Sequence, residues 1–469
     1  PRMASGFTGE AELRAAGLPL LQDAESLRDK VVLLRCDHNV CRGGAVTDVY
    51  RIEACLCTLF HIVSRGGHPV LLSHVGRPRD KSSGRIAVTD ETSLGPVVSF
   101  LERMLAVRFF VPDLASSEFG ISHVPTSINV GLRKLRDREY GGIYLPNTRW
   151  FAGEEAGGRA GEQFAEELAG LADVYVNDAF GAWQAHASTV AITRYLPAYA
   201  GLRLQEELGN LRMLLASPQR PFVAVVAGAK LDTKLGPLLA MHRSVDTLVL
   251  GGAVLNAFIC ARDGVQIAGV DADSIAAARK LVDADRNLGK VVLPEFVVVA
   301  DEEDGKNGGG GSVAQARAEG RYRCTPVTEL ASTLGRVVDV DPASFGEDRA
   351  LSAALAGAAM IFVNAVMGIT PHFPEGTRAL DEAVHTNVRA RKLYAGGDTL
   401  GQLKALSPGV YMSALEAHAE NRYSFFTGGG STLAAIEKGD PLQLEPVQAL
   451  IGNGGPARCK ANAPKTCCA

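Results

Sequence analysis

Two lysines, Lys230 and Lys234, stand where an anion could bind. They follow an apolar run at 222–227 and Gly228, at the start of a segment with leucines at helical spacing. Four residues apart, they would share one side of a helix, near an N-terminus whose dipole disfavours cations. An anion held by both lysines and by exposed glycine backbone would remove that penalty. Two surface lysines, partly balanced by Asp232, are the alternative that spacing leaves open.

The residues around these lysines predict a βαβ unit. The runs 222–227 and 246–250 are short and apolar, as in strands buried on both faces, and 231–245 has helical periodicity. Gly251 and Gly252 close the second run. Two strands joined through a helix in this way are expected to be parallel.

The N-terminal half repeats strand-like runs that end in polar residues. The runs are 31–35, 69–73, 107–111, 143–145 and 173–176. The polar residues that follow them include Asp37, His38, Asn39, His74, Arg77, Asn147, Arg149, Asn177 and Asp178. Open parallel α/β sheets bind ligands outside the carboxyl ends of their strands. This half is therefore predicted to hold a small anion.

The C-terminal half has the same organisation with glycine at the strand ends. Its predicted strands are 222–227, 246–250, 296–300, 360–363, 392–395 and 423–427. The glycines are Gly228, Gly251, Gly252, Gly396, Gly397 and those at 428–430. Glycine lets backbone amides approach a phosphate closely, which favours a nucleotide site. A long helical segment from Leu196 is expected to join the two halves.

Composition limits the class of protein. A length of 469 residues predicts two domains or slightly more, and 46% hydrophobic with 21% charged residues predicts a folded, soluble chain. The net charge of -4 argues against a nucleic-acid partner. Apolar runs are too short to span a membrane, and neither a signal peptide nor a C-terminal targeting tripeptide is recognisable.

The nine cysteines are an odd number for a disulfide framework. Cys36, Cys41, Cys55, Cys57 and Cys260 lie in or beside apolar segments and are predicted to be buried free thiols. Cys55 and Cys57 have no second close pair that would complete a zinc site. A reducing compartment such as the cytoplasm is expected.

A series of motifs, in this order, resembles the phosphoglycerate kinase family: RCDHNV, YRIEA, LLSHVGRP, PNTRWFAGEE, YVNDAFG, PAYAGL, AGAKLDTK, VNAVMG, AGGDT and TGGGSTLAAIEKGD. They run from about residue 31 to about residue 450. A Walker-type GxxxxGK[ST] and a well-placed GxGxxG are both missing from the sequence, which argues against other nucleotide-binding folds.

The resemblance implies an α/β fold with two Rossmann-like, doubly wound parallel-sheet domains that face each other across a cleft and are joined by a helix. Residues 1–200 would bind phosphoglycerate, 201–440 would bind nucleotide, and 441–469 would return to the N-terminal domain and end in a tail. The implied reaction is reversible phosphoryl transfer between 1,3-bisphosphoglycerate and ADP with Mg²⁺. The domains would have to close for the substrates to meet. We expect a monomer.

On the phosphoglycerate side, the residues implied by resemblance are Asp37, His38, Asn39, Arg51, His74, Arg77, Arg149 and Gln184. Arginine forks suit this substrate, because they bind both phosphate and carboxylate in bidentate fashion. A structural histidine is the alternative interpretation of His74.

On the nucleotide side, the implied residues are Gly228, Lys230, Lys234, Gly251, Gly252, Asp341, Asn364, Gly396, Gly397, Asp398 and Thr399. The two lysines would meet the phosphates, and Asp398 would hold Mg²⁺ or cap a helix. The residues implied in catalysis are Arg51, Lys230, Gly397 and Gly430, although the glycines at 428–430 could equally form a plain turn.

Several positions depart from the family pattern. The DFN motif reads Asp37-His38-Asn39, and an arginine of the DAFGTAHRAHAS-type stretch falls on Gln184. The other departures are Asp341 for a glycine near the adenine, Ala365 and Val366 for Gly-Pro, Pro371 for the ribose-binding glutamate, and Ala395 for the first glycine of GGGDT. Two hypotheses follow. The first is an active kinase, and the second is a protein with the kinase fold that has lost turnover and serves as a binding or structural subunit. A third class, the NAD-dependent oxidoreductases on a similar fold, is disfavoured because this sequence lacks their phosphate-binding fingerprint.

Overall fold

The computed structural model describes residues 9–113, 115–124, 126–228, 235–301, 312–332, 335–418 and 423–455. The chain divides into two compact units. One unit takes the residues up to Arg212 and those from Pro441 on, and the other runs from Met213 to Asp440. Lys230 and Lys234, both predicted to bind phosphate, lie outside the described residues.

The first unit contains a six-stranded parallel sheet and a small antiparallel pair. Its strands are β1 (Val31–Arg35), β2 (Cys41–Arg42), β3 (Ala45–Val46), β4 (His68–Leu72), β5 (Phe109–Phe110), β6 (Gly142–Tyr144), β7 (Val174–Asn177) and β8 (Ala198–Ala200). The parallel sheet has the order β5-β6-β4-β1-β7-β8, while β2 and β3 pair with each other. Strands β1, β4 and β7 are buried throughout, as their largely apolar sequences predict.

Several helices accompany this sheet in the described part of the unit. They are α1 (Glu10–Ala15), α2 (Val49–Ala54), α3 (Leu56–Ser64), α4 (Gly95–Leu105), α5 (Ile128–Arg136), α6 (Gly158–Ala169) and α7 (Leu202–Ala216). Helices α2 and α3 meet at Cys55, which follows the first and precedes the second. The segment from Leu196, predicted as one helix, begins with β8 instead, and α7 then runs across the boundary between the units.

The second unit contains a second six-stranded parallel sheet. The strands are β9 (Phe222–Gly228), β10 (Thr247–Gly251), β11 (Val291–Val292), β12 (Phe296–Ala300), β13 (Tyr322–Pro326), β14 (Arg336–Val340), β15 (Met360–Asn364), β16 (Arg391–Ala395) and β17 (Tyr423–Phe426). The parallel order is β11-β10-β9-β15-β16-β17. The predicted strand 296–300 is a strand, but it is central in a separate antiparallel sheet, β13-β12-β14.

The helices of this unit are α8 (Leu235–Ser244), α9 (Gly252–Asp263), α10 (Ala272–Asp285), α11 (Val313–Ala318), α12 (Ala350–Gly357), α13 (Glu375–Thr386), α14 (Gly397–Leu406), α15 (Pro408–His418) and α16 (Gly429–Lys438). Three of them, α9, α14 and α16, begin directly at the carboxyl ends of β10, β16 and β17. The predicted α/β class with two parallel sheets is confirmed.

The last of the described helices, α17 (Glu445–Asn453), packs on the first unit. Asn453 donates from Nδ2 to Thr193 Oγ1 at 3.1 Å, and the amide of Gly455 donates to the carbonyl of Ala198 at 3.2 Å. Residues from both ends of the chain therefore complete this unit. Among the described helices, none combines the length and apolar character needed to cross a membrane.

Candidate functional site

Arg51 is fixed over the carboxyl end of β1. Its Nη1 lies 3.5 Å from both carboxylate oxygens of Asp37, and its Nε lies 3.2 Å from Asp48 Oδ2. Asp48 also caps α2, because its side chain accepts from the Arg51 amide at 3.4 Å. Two carboxylates thus orient one guanidinium at the edge of the sheet where parallel α/β proteins bind ligands.

Arg149 is held nearby by the loop that follows β6. Its Nη1 donates to the Gly76 carbonyl at 2.6 Å, and its Nε lies 3.0 Å from Glu155 Oε1. Asn147 braces the loop, because its Nδ2 donates to the Val75 carbonyl at 2.7 Å. Burial, opposed by Glu155, lowers the pKa of Arg149. Arg149 is only 7% exposed, so a bound anion would compensate the cost of burying its charge.

His74 is buried beside two arginines. Its Nδ1 lies 3.0 Å from Nη2 of Arg35. Burial, followed by the positive charges of Arg35 and Arg149, holds the pKa of His74 well below its usual value. The imidazole is therefore neutral at physiological pH, accepts from Arg35 at Nδ1 and carries its proton on Nε2. The structural alternative for His74 and a ligand-donating role are both compatible with this arrangement.

Arg35 and Glu154 form a buried pair that the sequence did not single out. Both are fully buried, and they are linked through Ser188. Arg35 Nε donates to Ser188 Oγ at 3.0 Å, and that hydroxyl donates to Glu154 Oε1 at 2.6 Å. An arginine that ends an apolar strand was the available signal. The pair holds the loop after β7 against the end of β1.

His186 was also missed, although it belongs to the AHAS end of the DAFGTAHRAHAS-type stretch in which this sequence departs from the family pattern. It is half-buried, and burial lowers its pKa. Its Nε2 lies 4.0 Å from Glu155 Oε1. His186 is close enough to His74 for its positive form to contribute to the low pKa of His74.

Most of the remaining predicted residues of this unit lie at the surface. Asn39, Arg77 and Gln184 are exposed, and Asn39 Oδ1 accepts from the Gly76 amide at 3.0 Å. Arg77 is near enough to Arg149 to contribute to lowering its pKa. Gln184 presents its side chain to solvent, while its carbonyl accepts from Thr189 Oγ1 at 2.7 Å.

His38, by contrast, is not brought to this surface. The side chain is fully buried, with Nδ1 2.7 Å from the Tyr144 hydroxyl and Nε2 3.0 Å from Cys55 Sγ. A substrate cannot reach the ring in this conformation. Sequence order placed His38 between two candidate ligands, but side chains alternate in direction along an extended segment.

In the described part of the second unit, helices α9, α14 and α16 begin at glycines and have N-termini open to an anion. Helices α9, α14 and α16 have the glycine N-caps Gly251, Gly396 and Gly428, and none of the three makes a side-chain capping hydrogen bond. By comparison, α10 is capped by the side chain of Asp271. The first-turn amides of the glycine-led helices therefore keep their donors, and the helix dipole adds positive potential.

The N-termini of α14 and α16 lie side by side. Ala395 pairs with Phe426 across β16 and β17. A Cβ on Gly396, whose φ is +100°, would lie 3.0 Å from Asn364 Nδ2 and 3.3 Å from the Cα of Gly429. Asn364 Nδ2 in turn donates to the Ala395 carbonyl at 2.6 Å. Glycine is required here for the two helix starts to approach.

Gly251 and Gly252 have a packing role. A Cβ on Gly251 would lie 2.4 Å from Met367 Sδ, and one on Gly252 would lie 3.3 Å from the Gly228 amide nitrogen. Gly228 and Gly252 also form an isolated parallel bridge. These contacts account for Gly251 and Gly252 without a ligand.

The other predicted nucleotide residues lie at element ends. Gly397 begins α14, Asp398 is exposed in its first turn and Thr399 is buried in it. Gly430 is exposed in the first turn of α16. Asp341 follows β14, where its Oδ1 accepts from the Ala343 amide at 2.9 Å and caps a short 3₁₀ helix. That capping role accounts for an aspartate at this position.

Comparisons with known proteins agree along nearly the whole chain. The family model described as phosphoglycerate kinase matches residues 21–439. A phosphoglycerate kinase of Rubrobacter xylanophilus is 36% identical over 420 residues, covering 88% of this chain and 93% of the relative. One from Roseiflexus castenholzii is 32% identical over 415 residues, covering 87% and 93%.

Solved structures give the same result for the fold. The phosphoglycerate kinase of Coxiella burnetii superimposes with a TM-score of 0.63 at 26% identity, over 93% of this chain and 99% of that one. The enzyme of Pyrococcus horikoshii has a TM-score of 0.71 at 19% identity, over 93% and 100%, which supports the fold alone. With the family model, the relatives and this structure in agreement, the chain belongs to the phosphoglycerate kinase family.

Proposed function

We propose that this chain is an active phosphoglycerate kinase, which transfers a phosphoryl group reversibly between 1,3-bisphosphoglycerate and ADP. The observation that carries the proposal is the cationic group of the first unit, formed by Arg51, Arg77 and Arg149 around the neutral His74. Its partly buried charges suit a small molecule that carries both phosphate and carboxylate. The acceptor of the phosphoryl group is then the carboxylate of 3-phosphoglycerate.

The nucleotide belongs to the second unit in this proposal. The open N-termini of α9, α14 and α16 offer backbone donors to phosphate oxygens. Asp398 is exposed beside the start of α14 and can hold Mg²⁺, which with phosphate ligands needs few protein carboxylates. The ion would neutralise charge on the phosphates.

The proposed reaction needs no covalent participation by a protein side chain. An acyl phosphate leaves as a carboxylate, so a nucleophilic side chain and a general base are unnecessary. The proposed work is in-line positioning and stabilisation of the moving phosphoryl group, by Arg51, by Lys230 and by the amides of Gly397 and Gly430. Asp37 and Asp48 hold Arg51 for this role.

A kinase-fold subunit without turnover is the second candidate. It is favoured by Gln184 and Pro371, which replace an arginine and a glutamate of the family pattern. A coupled assay on purified full-length protein, with 3-phosphoglycerate, ATP and Mg²⁺, separates the two. We expect turnover by the wild type that Lys230→Ala reduces strongly while ADP affinity falls less.

Lys280→Ala removes an exposed lysine from α10 and serves as the matched control. It should keep wild-type turnover. Binding of both ligands by the wild type without turnover would support the subunit. Wild-type turnover by Lys230→Ala would refute the role assigned to that lysine.

A further inference from the structure

Cys36, His38 and Cys55 form a cluster of metal-ligand type in the core of the first unit. Their Sγ and imidazole nitrogen atoms all lie within 4.8 Å of one another, and all three side chains are buried. Ligand atoms bound to one ion at ordinary Zn–S and Zn–N lengths lie roughly 3.5 to 4 Å apart. Small side-chain rotations would therefore bring the three donors onto a single ion.

The backbone around the cluster is fixed by Ser73. Its hydroxyl donates to the Cys36 carbonyl at 2.9 Å and accepts from the His38 amide at 2.9 Å. The amide of Cys36 is bonded to the Leu72 carbonyl at 2.9 Å. Two of the three donors thus sit on the segment that follows β1, held by hydrogen bonds against the end of the neighbouring strand β4, which favours a preorganised site.

A second contact orients the imidazole. The Tyr144 hydroxyl lies 2.7 Å from His38 Nδ1, while Nε2 faces Cys55 Sγ at 3.0 Å. Metal-bound histidines commonly have their other ring nitrogen held by such a partner. With Nδ1 donating to the hydroxyl oxygen, the lone pair of Nε2 is directed toward the two sulfur atoms.

We propose that Cys36, His38 and Cys55 bind a single thiophilic d¹⁰ ion, Zn²⁺ or Cu⁺. Two metal–sulfur bonds and one metal–nitrogen bond form, and the two thiol protons pass to solvent. Two thiolates cancel the charge of Zn²⁺, whereas three protein ligands suffice for Cu⁺ and Zn²⁺ takes a fourth. The buried Arg35 guanidinium, which donates to the Cys36 carbonyl at 2.5 Å, would offset the negative charge left with Cu⁺.

The bound ion would tie the end of β1 to α2. Cys36 directly precedes Asp37, and Cys55 ends the helix that carries Arg51. The site is therefore adjacent in the chain to the Asp37–Arg51 contact, although neither of these residues is one of its ligands. The family motif has phenylalanine in place of His38, so the site belongs to this chain rather than to the family pattern.

Metal loading of the full-length protein tests the proposal. The reduced, chelator-stripped protein is incubated anaerobically with Zn²⁺ in one arm and Cu⁺ in the other, then desalted against a competing chelator. We expect about one ion per chain in at least one arm, and X-ray absorption should show two sulfur ligands and one nitrogen from the protein, with one further ligand in the Zn²⁺ arm. His38→Phe should weaken retention at least tenfold, and Cys55→Ala should abolish it.

Cys57→Ala is the matched control, because it removes an exposed thiol two residues from Cys55. It should bind like the wild type. If Cys55→Ala does not fold, His38→Phe decides, since phenylalanine is the family's residue there. Absence of retained metal in both arms, equal loss in Cys57→Ala, or a Cys36–Cys55 disulfide in the reduced sample would each overturn the proposal.

Discussion

Gln184 stands where the family has an arginine, and its side chain is exposed in the loop after β7. Gln184→Arg should tighten binding of 3-phosphoglycerate or lower its Michaelis constant. A restored charge-assisted hydrogen bond contributes about 1.5–3 kcal/mol, or roughly ten- to a hundredfold in affinity. Calorimetric titration of the wild type and the variant measures the difference.

Gln163→Arg adds the same charge on the exposed surface of α6 and is the control. It should leave 3-phosphoglycerate affinity unchanged. Failure of both the wild type and Gln184→Arg to bind the ligand would contradict the active-enzyme proposal.

The charged residues of the candidate site could be predicted from the sequence more reliably than the residues with which they pair. Arg51 and Arg149 follow directly from motifs, and the structure places both at the carboxyl edge of the sheet. The fully buried Arg35 and Glu154 were missed, because their pairing through Ser188 joins residues far apart in the chain. His38 was placed in the ligand group by its neighbours, but its side chain faces the core.

Among the structural elements, the loop that carries Gly181 approaches the end of β1 closely. A Cβ at Gly181 would lie 2.1 Å from Asp37 Oδ2. Gly181→Ala should therefore push the Asp37 carboxylate off its contact with Arg51 and weaken 3-phosphoglycerate binding about tenfold, while the fold survives. Titration of the ligand, with circular dichroism to verify folding, measures both effects.

Gly157→Ala is its control, since nothing lies within 4 Å of a Cβ at that position, where φ is -76°. Affinity should be the same as in the wild type. If Gly181→Ala also binds normally, Asp37 and its loop do not shape the ligand site.

The paired starts of α14 and α16 give a second test at this scale. Gly396→Ala would add a Cβ 3.3 Å from the Gly429 Cα at a φ of +100°, which strains the backbone and separates the two helix starts. We expect ADP affinity to fall at least tenfold and 3-phosphoglycerate affinity to stay unchanged. Isothermal titration with each ligand in turn shows whether the loss is confined to the nucleotide.

Gly401→Ala lies in the same helix with open space around it, so it should leave ADP affinity at the wild-type level. Equal loss of both ligands in Gly396→Ala would indicate unfolding rather than a local change. Unaltered ADP binding would argue against a phosphate site at these helix starts.

Apolar runs predicted most strands within one or two residues, because strands buried on both faces have few polar interruptions. The pairing of the strands was less accessible. The run 296–300 is apolar like its neighbours, yet β12 pairs antiparallel on both sides, a choice made by contacts with β13 and β14. Strand β8 is only three residues long, too short for periodicity to reveal.

For the molecule as a whole, stability should depend on buried carboxylates. Burial raises the pKa of Asp381 to about 7, and Ser407 Oγ donates to it at 2.7 Å. Because the folded-state pKa lies above the unfolded value, protonation stabilises the fold at low pH, and this is lost as pH rises through 7. Between pH 8 and pH 6 the gain is roughly 1.4 kcal/mol.

Asp381→Asn should lack this dependence while keeping an acceptor for Ser407. Relative to the wild type, its free energy of unfolding in urea should therefore be about 1.4 kcal/mol larger, and the variant more stable, at pH 8 than at pH 6. Asp283→Asn changes an exposed carboxylate of α10 and should show no such difference. A parallel pH dependence in Asp381→Asn and the wild type would refute the high pKa.

The packing of α17 on the first unit has a consequence for synthesis on the ribosome. Residues 213–440 form one uninterrupted stretch, so the second unit can complete its contacts as soon as that stretch has emerged. The first unit begins to emerge earlier but obtains the contacts of Asn453 and Gly455 with Thr193 and Ala198 only after the second unit has been made. The half that is translated first is thus the half that closes last.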